Sequence, residues 1–243
     1  MKVLIGLPAY NEEEGIKKVL ASIRDLRESS KYEIRVLVVE DGSTDGTALV
    51  VEKAALSEEY IVLLKHQRNL GLGEAVKSIL RYAIEELESE DILVTLDADN
   101  THSPHLIERM IDRLLQEDLD LVVASRFTEG GREIGLTLLR KVYSRGAMLY
   151  FKMFFPIVHL NDYSSGFRAY RVGTLKKALI RWDSLVTTNG FDCMAEIAAK
   201  FSKMKVKAGE VPLILNYHLK QGESKMRVMR TVRGYFSLLA KVR

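Results

Sequence analysis

The chain has 243 residues, 47% of them hydrophobic and 28% charged, with 16 Gly and 4 Pro, which excludes a disordered or collagen-like polymer and leaves room for one large domain or two small ones with ample apolar surface for a core. A lone cysteine, Cys193, excludes a disulfide framework and any cysteine-built zinc cluster, and fits a reducing compartment. The formal charge of +3 is uneven: residues 200–243 carry 11 Lys+Arg against 2 Asp+Glu, while the rest is net acidic, so an anionic partner is expected at the basic end.

The opening MKVLIGLPAYNEEE is too short in its apolar run, and too soon acidic, for a signal peptide. No stretch approaches roughly 18 uninterrupted apolar residues, so no transmembrane helix is expected. Strand-length apolar runs at 3–7, 34–39, 61–64, 92–96 and 121–124 alternate with helical patterns at 13–27, 44–56, 73–87 and 103–116. The runs are continuous rather than alternating, as in strands buried on both faces, and the strand–helix order predicts a mostly parallel α/β sheet. A Gly-containing loop follows at 127–136, then an apolar and basic helix at 138–155 closed by Pro156. A short strand at 167–170, a helix near 191–201 and a strand at 211–215 come next. We divide the chain into a catalytic domain, 1–222, and a basic amphipathic helix, 223–243.

Ligands of an open parallel sheet bind at the carboxyl ends of its strands, and the polar motifs lie there. Asp97 and Asp99 flank Ala98 after the fourth strand; two carboxylates so spaced suit a hard divalent cation, or else form a turn capping the helix near Ser103. Asp41 ends the second strand with no evident local role, and its carboxylate could accept N–H donors of a nucleotide base. Asp45 stands where a helix cap is expected. The turn Asn69-Leu70-Gly71-Leu72-Gly73 precedes a helix and could cradle phosphate or ribose. Neither a dinucleotide fingerprint nor a Walker loop is present. Arg126, Arg140 with Ser144 one turn later, Arg145, Arg168 and Lys225 form a basic set suited to several phosphates. The basic tail lacks the aromatic and basic interleaving of a nucleic-acid module, and no nucleic-acid partner is expected.

Taken in order, LPAYNE, VVEDGSTDGT, N-x-G-x-G-x-A and LDAD resemble the family two glycosyltransferases of GT-A fold. The later segments LLRKVYSRGAMLY, DYSSGFRAYR, NGFDCMAEI and GESKM are similar to the dolichol-phosphate mannose synthase and polyprenyl-phosphate branch. The resemblance implies that Pro8, Tyr10, Glu12, Val39, Asp41 and Asp97 hold the nucleotide. It implies that Asp97 and Asp99 bind Mg²⁺ or Mn²⁺, and that Arg126, Arg140, Ser144 and Lys225 bind the acceptor phosphate. Asp99, Arg126 and Arg140 would carry catalysis, and Glu196 would contact the sugar or order the site. Three positions depart from the pattern: Thr101 stands in place of Gln, Leu72 in place of Lys, and NYHLKQ leaves His218 or Lys220 for the usual Arg.

The implied reaction is inverting transfer of a hexose, mannose first and glucose second, from GDP-mannose or UDP-glucose to a polyprenyl or dolichyl phosphate. The alternative is a soluble family two enzyme acting on a sugar hydroxyl, with Asp192 or Glu196 as base. The apolar residues of 138–158, and Val228, Val232, Tyr235, Leu239 and Val242 flanked by Arg227, Arg230 and Arg233, fit a membrane surface, or else core packing. The expected location is the cytoplasmic face of a membrane, peripheral or anchored through helices absent from this chain.

Overall fold

The computed structural model describes residues 1–219 and 228–242. The chain runs β1 (Lys2–Ala9), α1 (Glu13–Ser29), β2 (Glu33–Glu40), α2 (Thr47–Ser57), β3 (Ile61–Lys65), α3 (Leu72–Glu86), β4 (Ile92–Thr95), α4 (Leu106–Gln116), β5 (Leu121–Ser125) and β6 (Arg132–Ile134). It continues with α5 (Leu138–Phe154), β7 (Arg168–Arg171), α6 (Val172–Arg181), α7 (Cys193–Met204), β8 (Ala208–Pro212), β9 (Ile214–Asn216) and, beyond a short 3-10 turn, α8 (Val228–Lys241).

Among the described residues, seven strands form one sheet in the order β3-β2-β1-β4-β7-β5-β8. All its pairings are parallel except those of β7, which lies antiparallel between β4 and β5. Alternate residues of β1 enter opposite layers: Leu4 packs with α3, α6 and α7 residues, whereas Val3 and Ile5 pack with α1, α2 and α4 residues. Both faces are therefore covered, and β1, β4 and β5 read as apolar runs because neither side meets water. Helix α1 buries Ile16, Val19, Leu20, Ile23 and Leu26, the spacing of one helical face, and carries Glu13 and Glu14 at its positive N-terminal end. This three-layer arrangement is the one expected from the resemblance to GT-A enzymes.

The first five expected strands and the helices between them are present. The expected loop 127–136 contains β6, which pairs with β9. The expected strand 211–215 is two strands, broken at Leu213 after Pro212, and the first begins at Ala208. Helix α6 was not anticipated; its buried residues Val172, Thr174, Leu175 and Ala178 lie directly after a strand, so the change of period has almost no spacer. Helix α8 packs on α5 and α7, burying Thr231, Leu238 and Val242, so one face of the tail is core. Leu239, expected on the apolar stripe, lies partly outside, and Phe236 is exposed.

Candidate active site

The carboxyl ends of β1 and β2 open into a cavity lined by Pro8, Tyr10, Glu12, Asp41, Gly71 and Asp97. Val39 stays apart: its side chain is fully buried in the core. Asp41 is 2% exposed and has local partners that the sequence did not disclose. Its Oδ1 accepts the Leu70 N–H at 2.9 Å and pairs with His66 Nδ1 at 2.7 Å, and its Oδ2 accepts the Gly71 N–H at 2.9 Å. The carboxylate thus anchors the glycine turn. Gly71 has φ +97°, and a side chain on Gly73 would collide with the Thr188 carbonyl, so only glycine lets the turn rest on segment 188–189. The Gly73 N–H donates to the Asn189 carbonyl at 3.2 Å. Asp45 serves the start of α2 as expected: its Oδ1 accepts the Thr47 N–H at 3.0 Å.

Asp97 and Asp99 follow β4. Asp99 is 7% exposed, and its Oδ1 accepts both the Thr101 N–H, at 3.0 Å, and the Thr101 hydroxyl, at 2.6 Å. Thr101, a departure from the family pattern, therefore orients one of the two carboxylates. The capping alternative does not hold for α4, whose N-cap is His105 with no side-chain cap bond. His102 Nδ1 accepts the Asp97 N–H at 3.4 Å. Among the described residues no third Asp, Glu, His or Cys completes a metal cluster. An all-oxygen pair at a cavity wall still fits Mg²⁺ or Mn²⁺, ions held by one or two carboxylates with substrate phosphates and water filling the other positions.

A second cavity meets the first at Asp97, Asp99 and Phe191, which line both. Its wall includes Arg126, Arg140, Ser144 and, from α8, Thr231, Val232 and Tyr235. Arg140 lies over the Tyr217 ring, 5.7 Å from its centroid. Ser144, one turn further along α5, has a buried Oγ with no hydrogen-bond partner among the described residues. Lys225 and Lys220 lie outside the described residues. His218 is exposed and sets its ring beside Gly135, away from the cavity lining.

Arg126, expected at the acceptor phosphate, lines the second cavity and is held there by acidic partners. Its Nε and Nη2 bind the two Asp162 oxygens at 2.7 Å each, Nη2 donates to Ser164 Oγ at 2.8 Å, and Nη1 lies 3.5 Å from Glu133 Oε1. Burial works against its charge, but the Asp162 and Glu133 carboxylates overcome this and strengthen its hold on the proton. Asp162 is fully buried; burial alone would raise its carboxyl, and Arg126 pulls it below the ordinary carboxylate range. The Asp162 N–H in turn donates to Glu210, whose two oxygens also take the Asn161 N–H and side-chain amide. Sequence reading missed Asp162 and Glu210 because they stand 36 and 84 residues from Arg126, and only the fold brings them together.

The expectation for Arg168 needs correcting, and of the two roles expected for Glu196 the ordering one fits its contacts. Arg168 is fully buried, and its guanidinium donates to the carbonyls of Ser165, Met194 and Tyr163 at 2.7–2.8 Å, which removes it from the phosphate set. Glu196 is also fully buried, paired with Lys200 at 2.7 Å and accepting the Thr187 N–H and hydroxyl at 2.8 Å. Burial would raise its carboxyl; the Lys200 and Thr187 hydrogen bonds bring it below the usual range. It orders loop 187–188 and has no opening toward a sugar. Asp192, 8% exposed, has its carboxyl raised by burial and packs against Gly234 of α8, where a side chain would collide with it.

Residues 4–179 match the family model described as glycosyl transferase family 2. The chain is 31% identical over 226 residues to an undecaprenyl-phosphate mannosyltransferase of Micrococcus luteus, covering 93% of this chain and 88% of that protein. It is 32% identical over 230 residues to a dolichol-phosphate mannosyltransferase of Pyrococcus furiosus, of which it spans 60%. Among solved structures, glucosyl-3-phosphoglycerate synthase from Mycobacterium tuberculosis with Mn²⁺, UDP and glucosyl-3-phosphoglycerate superposes with TM-score 0.69 over 99% of this chain, at 19% identity. The fold, the strand-end carboxylate pair and the match over most of its length agree: the chain belongs to glycosyl transferase family 2.

Proposed function

We propose that this chain transfers a hexose, mannose before glucose, from a nucleotide-sugar to a polyprenyl or dolichyl phosphate, with metal dependence and inversion at the anomeric carbon. One observation carries the reading: Asp97 and Asp99 form the shared wall of two cavities, one bearing Tyr10, Glu12 and Asp41, the other Arg140 and Ser144. The nucleotide lies in the first and the acceptor phosphate in the second, so donor diphosphate and acceptor meet at the carboxylate pair. The orphaned Ser144 hydroxyl suits a phosphate oxygen, and the names of the relatives from Micrococcus luteus and Pyrococcus furiosus favour mannose on a polyprenyl phosphate.

An acceptor phosphate oxygen attacks the anomeric carbon as the bond to the nucleoside diphosphate breaks. That oxygen is already anionic near neutral pH, so no side chain need remove a proton, which accords with Glu196 and Asp192 being engaged elsewhere. The obstacle is repulsion between two phosphate groups. Arg140 lowers it directly, while Arg126, whose Nε and Nη2 are committed to Asp162 and Ser164, braces the cavity wall beside it. A divalent ion held by Asp97 and Asp99 would supply charge compensation to the departing diphosphate.

Helix α5 carries this chemistry on one side and exposes Leu138, Val142, Leu149 and Met153 on the other, at 62–82% exposure. Arg145 and Lys152 stand exposed among them. Large apolar side chains clustered in solvent beside cations suit a membrane interface, where a polyprenyl chain could leave the cavity. Among the described residues no helix is long and apolar enough to cross a membrane. The reading is attachment at the cytoplasmic face, peripheral or through helices absent from this chain.

The test is a panel of GDP-mannose, UDP-glucose and other nucleotide-sugars with Mg²⁺ or Mn²⁺ and a polyprenyl phosphate, scored by mass spectrometry of the lipid. A glycosylated polyprenyl phosphate is expected. Transfer only to a free sugar hydroxyl would overturn the reading.

A further inference from the structure

The buried imidazole bonded to Asp41 plays no part in the chemistry above. His66 follows β3, and its backbone N–H is fixed by the Glu40 carbonyl at 2.8 Å. Its ring bridges two elements: Nδ1 meets Asp41 Oδ1 at 2.7 Å, and Nε2 meets Ser78 Oγ on α3 at 3.0 Å. The side chains of His66 and Asp41 are 9% and 3% exposed. An ordered Asp–His–Ser chain resembles a hydrolytic triad, but Ser78 is buried on the helix, and no substrate carbonyl could reach it.

We propose that His66 is a positioning residue for donor binding, acting through Asp41; this rests on the assignment of the first cavity to the nucleotide. Asp41 takes N–H donors on both oxygens, so it serves as an acceptor. The Nδ1 position of His66 therefore carries a proton toward Asp41, and Nε2 meets the Ser78 hydroxyl. Oδ1 takes His66 and Leu70, while among the described residues Oδ2 takes the Gly71 N–H alone and keeps an acceptor direction for a ligand in the cavity. Two donors on one oxygen fix the rotation of the carboxylate. Ser78 fixes the ring. The glycine turn, Asp41 and the start of α3 thereby move as one rigid unit, and the nucleotide meets an acceptor already aimed.

The experiment is calorimetric titration of GDP and, separately, UDP with Mg²⁺ into the whole chain, beside turnover at saturating donor. The nucleotide that the wild type binds is then followed in His66→Leu, His66→Asn and Asp41→Asn. His66→Leu is expected to weaken that nucleotide roughly 10-fold, with a much smaller loss of turnover once donor saturates. His66→Asn keeps an N–H donor near the Nδ1 position and is expected to retain most of the affinity. Asp41→Asn, which presents an amide in place of the carboxylate, is expected to lose more than either. Undiminished binding in His66→Leu, or equal weakening in His66→Leu and His66→Asn, would overturn the positioning role. Undiminished binding in Asp41→Asn would instead overturn the assignment of the cavity to the nucleotide.

Discussion

Asp99 and Arg140 separate the two halves of the reaction. Asp99 is oriented by Thr101 at the wall between the cavities. Asp99→Ala is expected to cut turnover roughly a thousandfold, about 4 kcal/mol of transition-state stabilisation, while circular dichroism stays unchanged. Near wild-type turnover at limiting metal would refute the metal assignment. Arg140 faces the second cavity only, so Arg140→Ala should reduce transfer to polyprenyl phosphate by roughly 30- to 150-fold, about 2–3 kcal/mol for a lost charge-assisted contact. Nucleotide affinity measured by calorimetry should barely move. If transfer to a polyprenol lacking the phosphate proceeds equally well, Arg140 does not grip a phosphate and a hydroxyl acceptor becomes the leading reading.

At the scale of elements, α5 and α8 have acquired two tasks each. Helix α8 walls the second cavity through Val232 and Tyr235 and is pinned where Gly234 meets Asp192 and where the Tyr150 hydroxyl donates to the Tyr235 carbonyl at 3.0 Å. Removing it would damage the cavity as well as any surface attraction, so α5 offers the cleaner test. Leu149 and Met153 are exposed and line neither cavity. Leu149→Glu with Met153→Glu should lower cosedimentation with anionic liposomes several-fold, since charges are strongly disfavoured at an apolar interface. Transfer to a short, water-soluble polyprenyl phosphate should persist. Unaltered liposome binding would make the α5 face a packing or dimer surface instead.

The whole molecule ties its second cavity to buried carboxylates, and this sets its response to acid. Asp162 has its carboxyl lowered in the folded state, so it stabilises the fold above the unfolded carboxylate range near 3.9 and loses that contribution as pH falls through its own, lower value. Glu196 behaves in the same sense. Stability measured by urea unfolding should therefore decline with acidification below about pH 5. Asp162→Asn leaves the buried Arg126 with Glu133, at 3.5 Å, as its remaining carboxylate and is expected to cost about 3 kcal/mol, with a flatter decline in acid than the wild type. Equal acid slopes for both proteins would show that Asp162 does not govern this response.

The α/β class, the first five strands with their helices, and the D-x-D pair were legible in the residues, because apolar runs and strand-end polar motifs are local properties. The family could be recognised from motifs for the same reason. Other features were settled only by chain segments meeting in space. The insertion of β7 between β4 and β5 has no local signature, and neither does the pairing of β6 with β9. Arg126, Arg168 and Glu196 looked equally available for ligands as letters in a sequence. Asp162, three backbone carbonyls and Lys200 respectively claim them in the fold, since a buried charge must find a partner. Asp41 shows both sides: its place at a strand end was predictable, whereas its bond to His66, 25 residues away, exists only because β2 and β3 lie side by side.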